Sequence, residues 1–299
     1  MLACMTLESL NHEIIFPMNR ATFITGATGF AGSKISANLA SQGMDLILSA
    51  CNELKLQESV EVLSKKYPAI KVKGVVCDLS NPDSWSEGAE FIKDYCIDNY
   101  INCAGIQGKL GPGLEVSQGE MANVFNVNLF SSIYFTNIVT KNLQHGNKLS
   151  VIHFSGGGST GPRPLFMPYS LSKTALLRFV ENFAAENTNR NVRINVIAPG
   201  VMPSKMQEEV VSNPALKESK DYLVAEKALS IGGLGSTKFI ELCDFLLSDR
   251  SEGITGKVIS AEWDNWTVWP DHLPELITSD IYTLRRITGR DRDQNWGDL

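Results

Sequence analysis

The sequence contains no CxxC pair, no apolar run approaching the ~20 residues of a membrane-spanning helix, and no excess of basic charge. Its six cysteines (Cys4, Cys51, Cys77, Cys96, Cys103 and Cys243) are scattered, several of them in apolar runs. That pattern reads as small buried thiols in a reducing compartment rather than a disulfide framework, and it predicts a cytoplasmic protein. A net charge of -6 offers no electrostatic basis for binding nucleic acid or an anionic membrane. Only four histidines are present, no two at metal-ligand spacing, so no metal site is expected. His153 falls in a strand-like run and reads as a core or edge residue. Residues 1–20 lack a basic start and a long apolar stretch, so they read as a short N-terminal extension and not as a secretion signal.

What is present is an alternation of strand-like and helix-like segments over 299 residues, with 43% hydrophobic and 20% charged residues. Ala21–Thr25 is a β-type run. Gly26-Ala27-Thr28-Gly29-Phe30-Ala31-Gly32 follows, and then a helical pattern from Ser33 to Ala40. Strand, glycine loop and helix together form a context for binding a dinucleotide. The glycines let the backbone approach a pyrophosphate, and the helix start offers unpaired N–H groups and a positive dipole end. Further strands are predicted at Asp45–Ala50, Val72–Cys77, a run ending at Tyr100–Gly105, Leu149–Ser155, Val192–Ala198 and Lys257–Ala261. Helices are predicted at Leu54–Tyr67, Glu120–Gln144, the segment carrying Tyr169 to Phe183, and Thr237–Leu247. This spacing specifies an α/β, Rossmann-type, doubly wound and mostly parallel seven-stranded sheet in a single domain over residues 21–262. The polar, charged stretch from Met202 to Ile231 reads as a lid. Residues 263–299 form a tail rich in tryptophan, expected to pack on its own domain or on a neighbouring subunit.

Tyr169 and Lys173 stand four apart in one helical pattern, so their side chains share a face. An ammonium beside a phenol stabilises the phenolate and suits the tyrosine to proton transfer. At the end of the second strand, around Ser49 to Asn52, an acidic residue would hold the ribose hydroxyls of NAD. None is present there. Ser49, Asn52 and Lys55 could accommodate a phosphate, which favours NADP over NAD.

Taken in order, Thr25-Gly26 with Gly29 and Gly32, Asp78-Leu79, Asn102-Cys103-Ala104-Gly105, Asn128, Tyr169 to Lys173 and Pro199-Gly200 resemble the short-chain dehydrogenase/reductase superfamily. The resemblance runs from about Ala21 to Ala261. It implies that Tyr169 is the general acid or base at a carbonyl/alcohol centre. Lys173 would bind the nicotinamide ribose and lower the Tyr169 pKa, and Asn128 would hold a water in a proton relay to Lys173. Gly26, Thr28, Gly29, Phe30 and Gly32 would cradle the pyrophosphate. Cys51, Asp78, Leu79, Asn102, Ala104 and Gly105 would line the adenosine side. Pro199, Gly200, Val201 and Ser204 would border the nicotinamide. A homodimer or homotetramer is expected on the same ground.

Three features depart from the family pattern. The glycine spacing GxxGxxG is closer to the nucleotide-sugar branch. The catalytic serine usually lies thirteen residues before the tyrosine, but that position is Gly156. Ser155 is the preferred replacement and Ser159 the other, with a serine-free site as the third case. Finally, the chain runs on through Trp263, Trp266 and Trp269 where the family usually stops. The function expected is NAD(P)-dependent oxidation or reduction of a small or medium polar metabolite, sugar-derived substrates included. The alternatives are a nucleotide-sugar epimerase or dehydratase with tightly held NAD, and a non-catalytic dinucleotide-binding protein.

Overall fold

The computed structural model describes residues 19–231, 237–294 and 296. Most of the N-terminal extension therefore lies outside the described residues. Seven strands form one sheet in the order β3-β2-β1-β4-β5-β6-β7. They are β1 (Asn19–Thr25), β2 (Leu46–Ala50), β3 (Val72–Val76), β4 (Tyr95–Asn102), β5 (Leu149–Phe154), β6 (Val192–Ala198) and β7 (Val258–Ser260). All six pairings are parallel, which requires a crossover after every strand. Central strands are buried on both faces. β2 and β5 are buried along their whole length, as expected of near-continuous apolar runs in a parallel sheet.

Two apolar layers cover the faces. One packs α1 (Phe30–Ser41), α2 (Glu53–Lys66) and α9 (Lys238–Leu247) through Ile35, Leu39, Leu56, Phe239 and Leu242. The other packs α3 (Trp85–Ile92), α5 (Ser131–Lys141) and α6 (Met167–Glu186) through Trp85, Phe135, Leu177 and Val180. The sequence pattern did not reveal α3, an eight-residue helix whose Gly88 admits the Phe135 ring; a Cβ there would lie 3.1 Å from Phe135 Cζ. The predicted helix Glu120–Gln144 is three pieces: α4 (Gln118–Phe125), a π-helical turn over Asn126–Phe130, and α5. The capping box Ser117/Glu120 starts it.

The order reversal between β1 and β4 opens a crevice at the carboxyl ends of the strands, where ligands bind in sheets of this kind. α7 (Lys205–Val211) and α8 (Lys220–Ile231) pack on one another within the segment read as a lid. Beyond β7 the chain forms a 3-10 stretch at Trp266–His272 and then α10 (Leu273–Thr278). Among the described residues no helix is long and apolar enough to cross a membrane.

Candidate active site

Two cavities open at that crevice. The first, about 170 Å³, is lined by Gly26, Thr28, Ser49 to Cys51, Cys77 to Leu79, Ala104 to Ile106 and Val127. Its floor depends on glycine. Gly26 has φ +66°, and a Cβ there would lie 2.6 Å from the Ala104 nitrogen; one on Gly32 would lie 2.3 Å from the Gly26 oxygen. The turn therefore lies flat under the start of α1, whose cap residue Gly29 is exposed. Phe30 is half-buried there, with the Lys34 ammonium 5.9 Å from its ring. Bare N–H groups and a flat glycine turn at a helix start fit a dinucleotide's pyrophosphate. Asn52 is the N-cap of α2; its Oδ1 accepts from Lys55 N at 2.9 Å. Ser49 is buried.

Asn102 does not line this cavity. It is the hub of a buried network under the site. Its Oδ1 accepts from Thr25 Oγ1 at 2.7 Å, and its Nδ2 donates to Ser132 Oγ at 2.6 Å and to His153 Nδ1 at 3.2 Å. Thr136 spends its hydroxyl proton on the Ser132 carbonyl, so it accepts from His153 Nε2. The imidazole is thus the neutral Nε2–H tautomer, and burial lowers its pKa to about 3. His153 lies in the centre of the sheet, in β5 between β4 and β6.

The second cavity, about 430 Å³, is walled by Ser155 to Gly158, Pro162 to Pro164, Tyr169, Pro199 to Met202, Ser204, Gln107 and the lid residues Met206, Gln207, Lys220, Asp221 and Val224. Tyr169 and Lys173 lie on one face of α6, as the spacing predicts, and both are buried. Lys173 Nζ donates to the Phe154 carbonyl at 2.7 Å and lies 5.9 Å from the Tyr169 ring centre. Burial lowers the ammonium's pKa to about 8, partly offset by Cys103. Burial raises Tyr169 to about 12, and the charge opposing that rise is Arg163. The expected depression of the tyrosine pKa by Lys173 is therefore corrected: desolvation of the buried phenol outweighs the one charge opposing it, that of Arg163.

The region before Tyr169 explains the missing serine. A Cβ on Gly156 would lie 2.2 Å from Tyr169 Oη, so the phenol occupies the space a side chain would need. Similarly, a Cβ on Gly158 would lie 2.1 Å from Ser170 Oγ. Ser155 is buried, lines the same cavity as Tyr169, and its Oγ has no hydrogen-bond partner among the described residues. Ser159 is buried too but does not line that cavity; its carbonyl accepts from Thr174 Oγ1.

The Asn128 side chain acts as a clamp. Its Oδ1 accepts from Ile106 N at 2.9 Å, and its Nδ2 donates to the Ile106 carbonyl at 2.8 Å and to Ser172 Oγ at 3.0 Å. Both Nδ2 protons are engaged, so a water held by this amide would donate to the second lone pair of Oδ1. The π-turn places Asn128 there by inserting an extra residue into the helical repeat, a device frequent at functional sites. A Cβ on Gly105 would lie 3.5 Å from each of Asn128 Oδ1, Lys173 Nζ and Met206 Cε, so three elements converge on that glycine. Gln107, buried and overlooked in the sequence, donates to the Met206 carbonyl at 2.5 Å and seats α7. Arg163 and Asp221 also line the second cavity, from stretches too polar to give a periodic apolar signal. No group of three metal-ligating side chains occurs among the described residues.

Comparison with known proteins agrees with this geometry. A family model described as Enoyl-(Acyl carrier protein) reductase matches residues 26–262. The chain is 25% identical over 244 residues to Dehydrogenase/reductase SDR family member 4 of Sus scrofa, covering 81% of this chain and 85% of the relative. It is 26% identical over 255 residues to Diacetyl reductase [(S)-acetoin forming] of Staphylococcus epidermidis, covering 81% and 96%. Its fold is similar to that of an NAD+-bound xylitol dehydrogenase, with a TM-score of 0.70 at 21% identity, covering 82% of this chain and 98% of that one. With the match spanning the glycine turn, strands β2 to β7 and the Tyr169 helix, the chain belongs to the short-chain dehydrogenase/reductase superfamily.

Proposed function

We propose that the protein interconverts a carbonyl and an alcohol on a small or medium polar metabolite, using NADP or NAD, with Tyr169 as general acid and base. The observation that carries this reading is the shared wall of the larger cavity. Tyr169 and Ser155 line it together, and the buried Ser155 Oγ has no hydrogen-bond partner among the described residues. A buried hydroxyl without a partner costs about 1–3 kcal/mol, which a substrate oxygen would relieve. The reductase names among the relatives support the same class of reaction.

The bound nicotinamide would supply or accept the hydride. The chain's own residues do the rest. Gly26, Thr28, Gly29, Phe30 and Gly32 take the pyrophosphate. Cys51, Asp78, Leu79, Ala104 and Gly105 take the adenosine side, with Asn102 bracing the strand beneath. Pro199, Gly200, Val201 and Ser204 border the ring, and Lys173 holds the ribose beside it. With its pKa near 12, Tyr169 carries its proton at neutral pH and is ready to protonate an alkoxide-like oxygen. Ser155 donates a second hydrogen bond to that oxygen, and Asn128 holds the loop at Ile106 against α6. The absence of an acidic residue at positions 49–52 favours NADP. A cavity of about 430 Å³ with mixed polar and apolar walls suits a metabolite of sugar size.

The test is turnover of a carbonyl panel, diacetyl included, with NADPH and with NADH. Tyr169→Phe is expected to lower kcat by at least about 100-fold, the usual worth of a positioned proton donor. Full turnover by that variant would falsify the proposal.

A further inference from the structure

Arg163 belongs to none of the family motifs, yet on the wall of the larger cavity it touches a buried ring, the lid helix and the glycine loop at once. Its guanidinium carbon lies 3.5 Å from the ring centre of Phe166, which is fully buried. Its Nε donates to Asp221 Oδ1 at 2.9 Å, and its Nη2 forms an ion pair with the same oxygen at 2.8 Å. Asp221 lies in the first turn of α8, so this pair joins the loop before α6 to the lid. The same side chain lies over the glycine loop: a Cβ on Gly157 would be 3.5 Å from its Nη1, and one on Gly158 would be 3.1 Å from its Cβ. The pair is only part-exposed, at 20% and 34% of side-chain area, so it is screened less than a surface ion pair.

We propose that Arg163 is a positioning residue. Locked between Phe166 and Asp221, it holds the glycine loop and the lid helix in the register that places the Gly156 backbone against Tyr169 Oη. This rests on the reading of Tyr169 above and deepens it, because the same arginine would also set that tyrosine's acidity. The charged groups facing the phenol are few. Lys173 is on its own helix and spends a proton on Phe154. Arg163 comes from the loop, and Asp221 and Lys220 come from α8. From β5, His153 is neutral and turned into the buried network. Of these, Arg163 opposes the burial-driven rise of the Tyr169 pKa.

Two substitutions separate the positioning and charge effects. Arg163→Met removes the tie and the cation. Asp221→Asn weakens the tie but leaves the cation without its neutralising partner. Both are expected to raise KM by about tenfold, since small misplacements at a reacting centre are costly, and to speed limited proteolysis within residues 205–231. Their effects on the tyrosine limb of the kcat/KM pH profile should be opposite: upward for Arg163→Met and downward for Asp221→Asn. Arg163→Lys should keep part of the charge effect while losing the flat stack on Phe166. Unchanged KM and cleavage in both variants would overturn the proposal. So would a limb that moves the same way in both, because that is what a purely structural prop would give. Proteolysis needs no substrate, so failure here is distinguishable from failure of the oxidoreductase reading, which Tyr169→Phe tests alone.

Discussion

At the residue scale, Gly156 decides more than its size suggests. Glycine stands where the family places a serine, and the tyrosine's own hydroxyl occupies the space a side chain would take there. A methyl group at position 156 cannot coexist with Tyr169 Oη at 2.2 Å, so the ring must withdraw from the cavity wall. Gly156→Ala is therefore expected to cost about 100-fold in kcat/KM, the scale of an ångström-sized misplacement. Because the displaced atom is the tip of a side chain, the melting temperature should change little. A variant that melts normally and retains full kcat/KM would show that Tyr169 has room to spare. That Tyr169 and Lys173 share one face of α6 was legible from their spacing, because the helical period fixes which side chains meet. The serine was not, since a one-residue shift in a glycine loop changes which atoms face the cavity, and periodicity gives no guidance there.

At the scale of elements, the strands and long helices were legible because buried parallel strands and amphipathic helices leave period-specific patterns. The π-turn was not: inserting one residue between α4 and α5 leaves the apolar stripe of both halves intact. Neither was the network joining β1, β4, β5 and α5 through Thr25, Asn102, His153, Ser132 and Thr136, which requires the strands to be in their final order. That network has a pH signature. The folded His153 has a pKa of about 3, against about 6.5 when unfolded, so only the unfolded chain takes up this proton in between. Its contribution to stability is complete above the unfolded value and is lost as pH falls from there toward 3. At about 1.4 kcal/mol per pH unit, roughly 2 kcal/mol is gone by pH 5. Comparing melting at pH 7.5 and 5.0, the parent protein should lose about 4 °C more than His153→Gln. Equal losses in both would mean that His153 is not held neutral by the fold.

For the whole molecule, the open question is how an exposed edge of the sheet is covered. β7 ends the sheet, and an unpaired edge strand invites association with other chains. The tail closes it. Trp266 packs on Phe245 with ring centres 5.3 Å apart, and Trp269 on Tyr282 at 4.2 Å, both on the α9 side of the sheet. The chain then crosses the edge, where Val258 N donates to the Tyr282 carbonyl at 2.9 Å and Lys257 Nζ to the Ile281 carbonyl at 3.0 Å. On the far side Leu284 joins the layer of α6, with Arg178 and Glu181 bonding its backbone. Of the tail's four tryptophans (Trp263, Trp266, Trp269 and Trp296), Trp269 and Trp263 should therefore behave differently when replaced. Trp269→Ala removes a side chain only 4% exposed and is expected to cost about 3–5 kcal/mol, lowering the melting temperature by roughly 10 °C. Trp263 is 89% exposed, and its replacement by alanine should stay within about 0.5 kcal/mol. Differential scanning calorimetry of the two variants decides it. If Trp263→Ala is as damaging as Trp269→Ala, then Trp263 is covered in solution by something other than its own chain, and a neighbouring subunit is the first candidate.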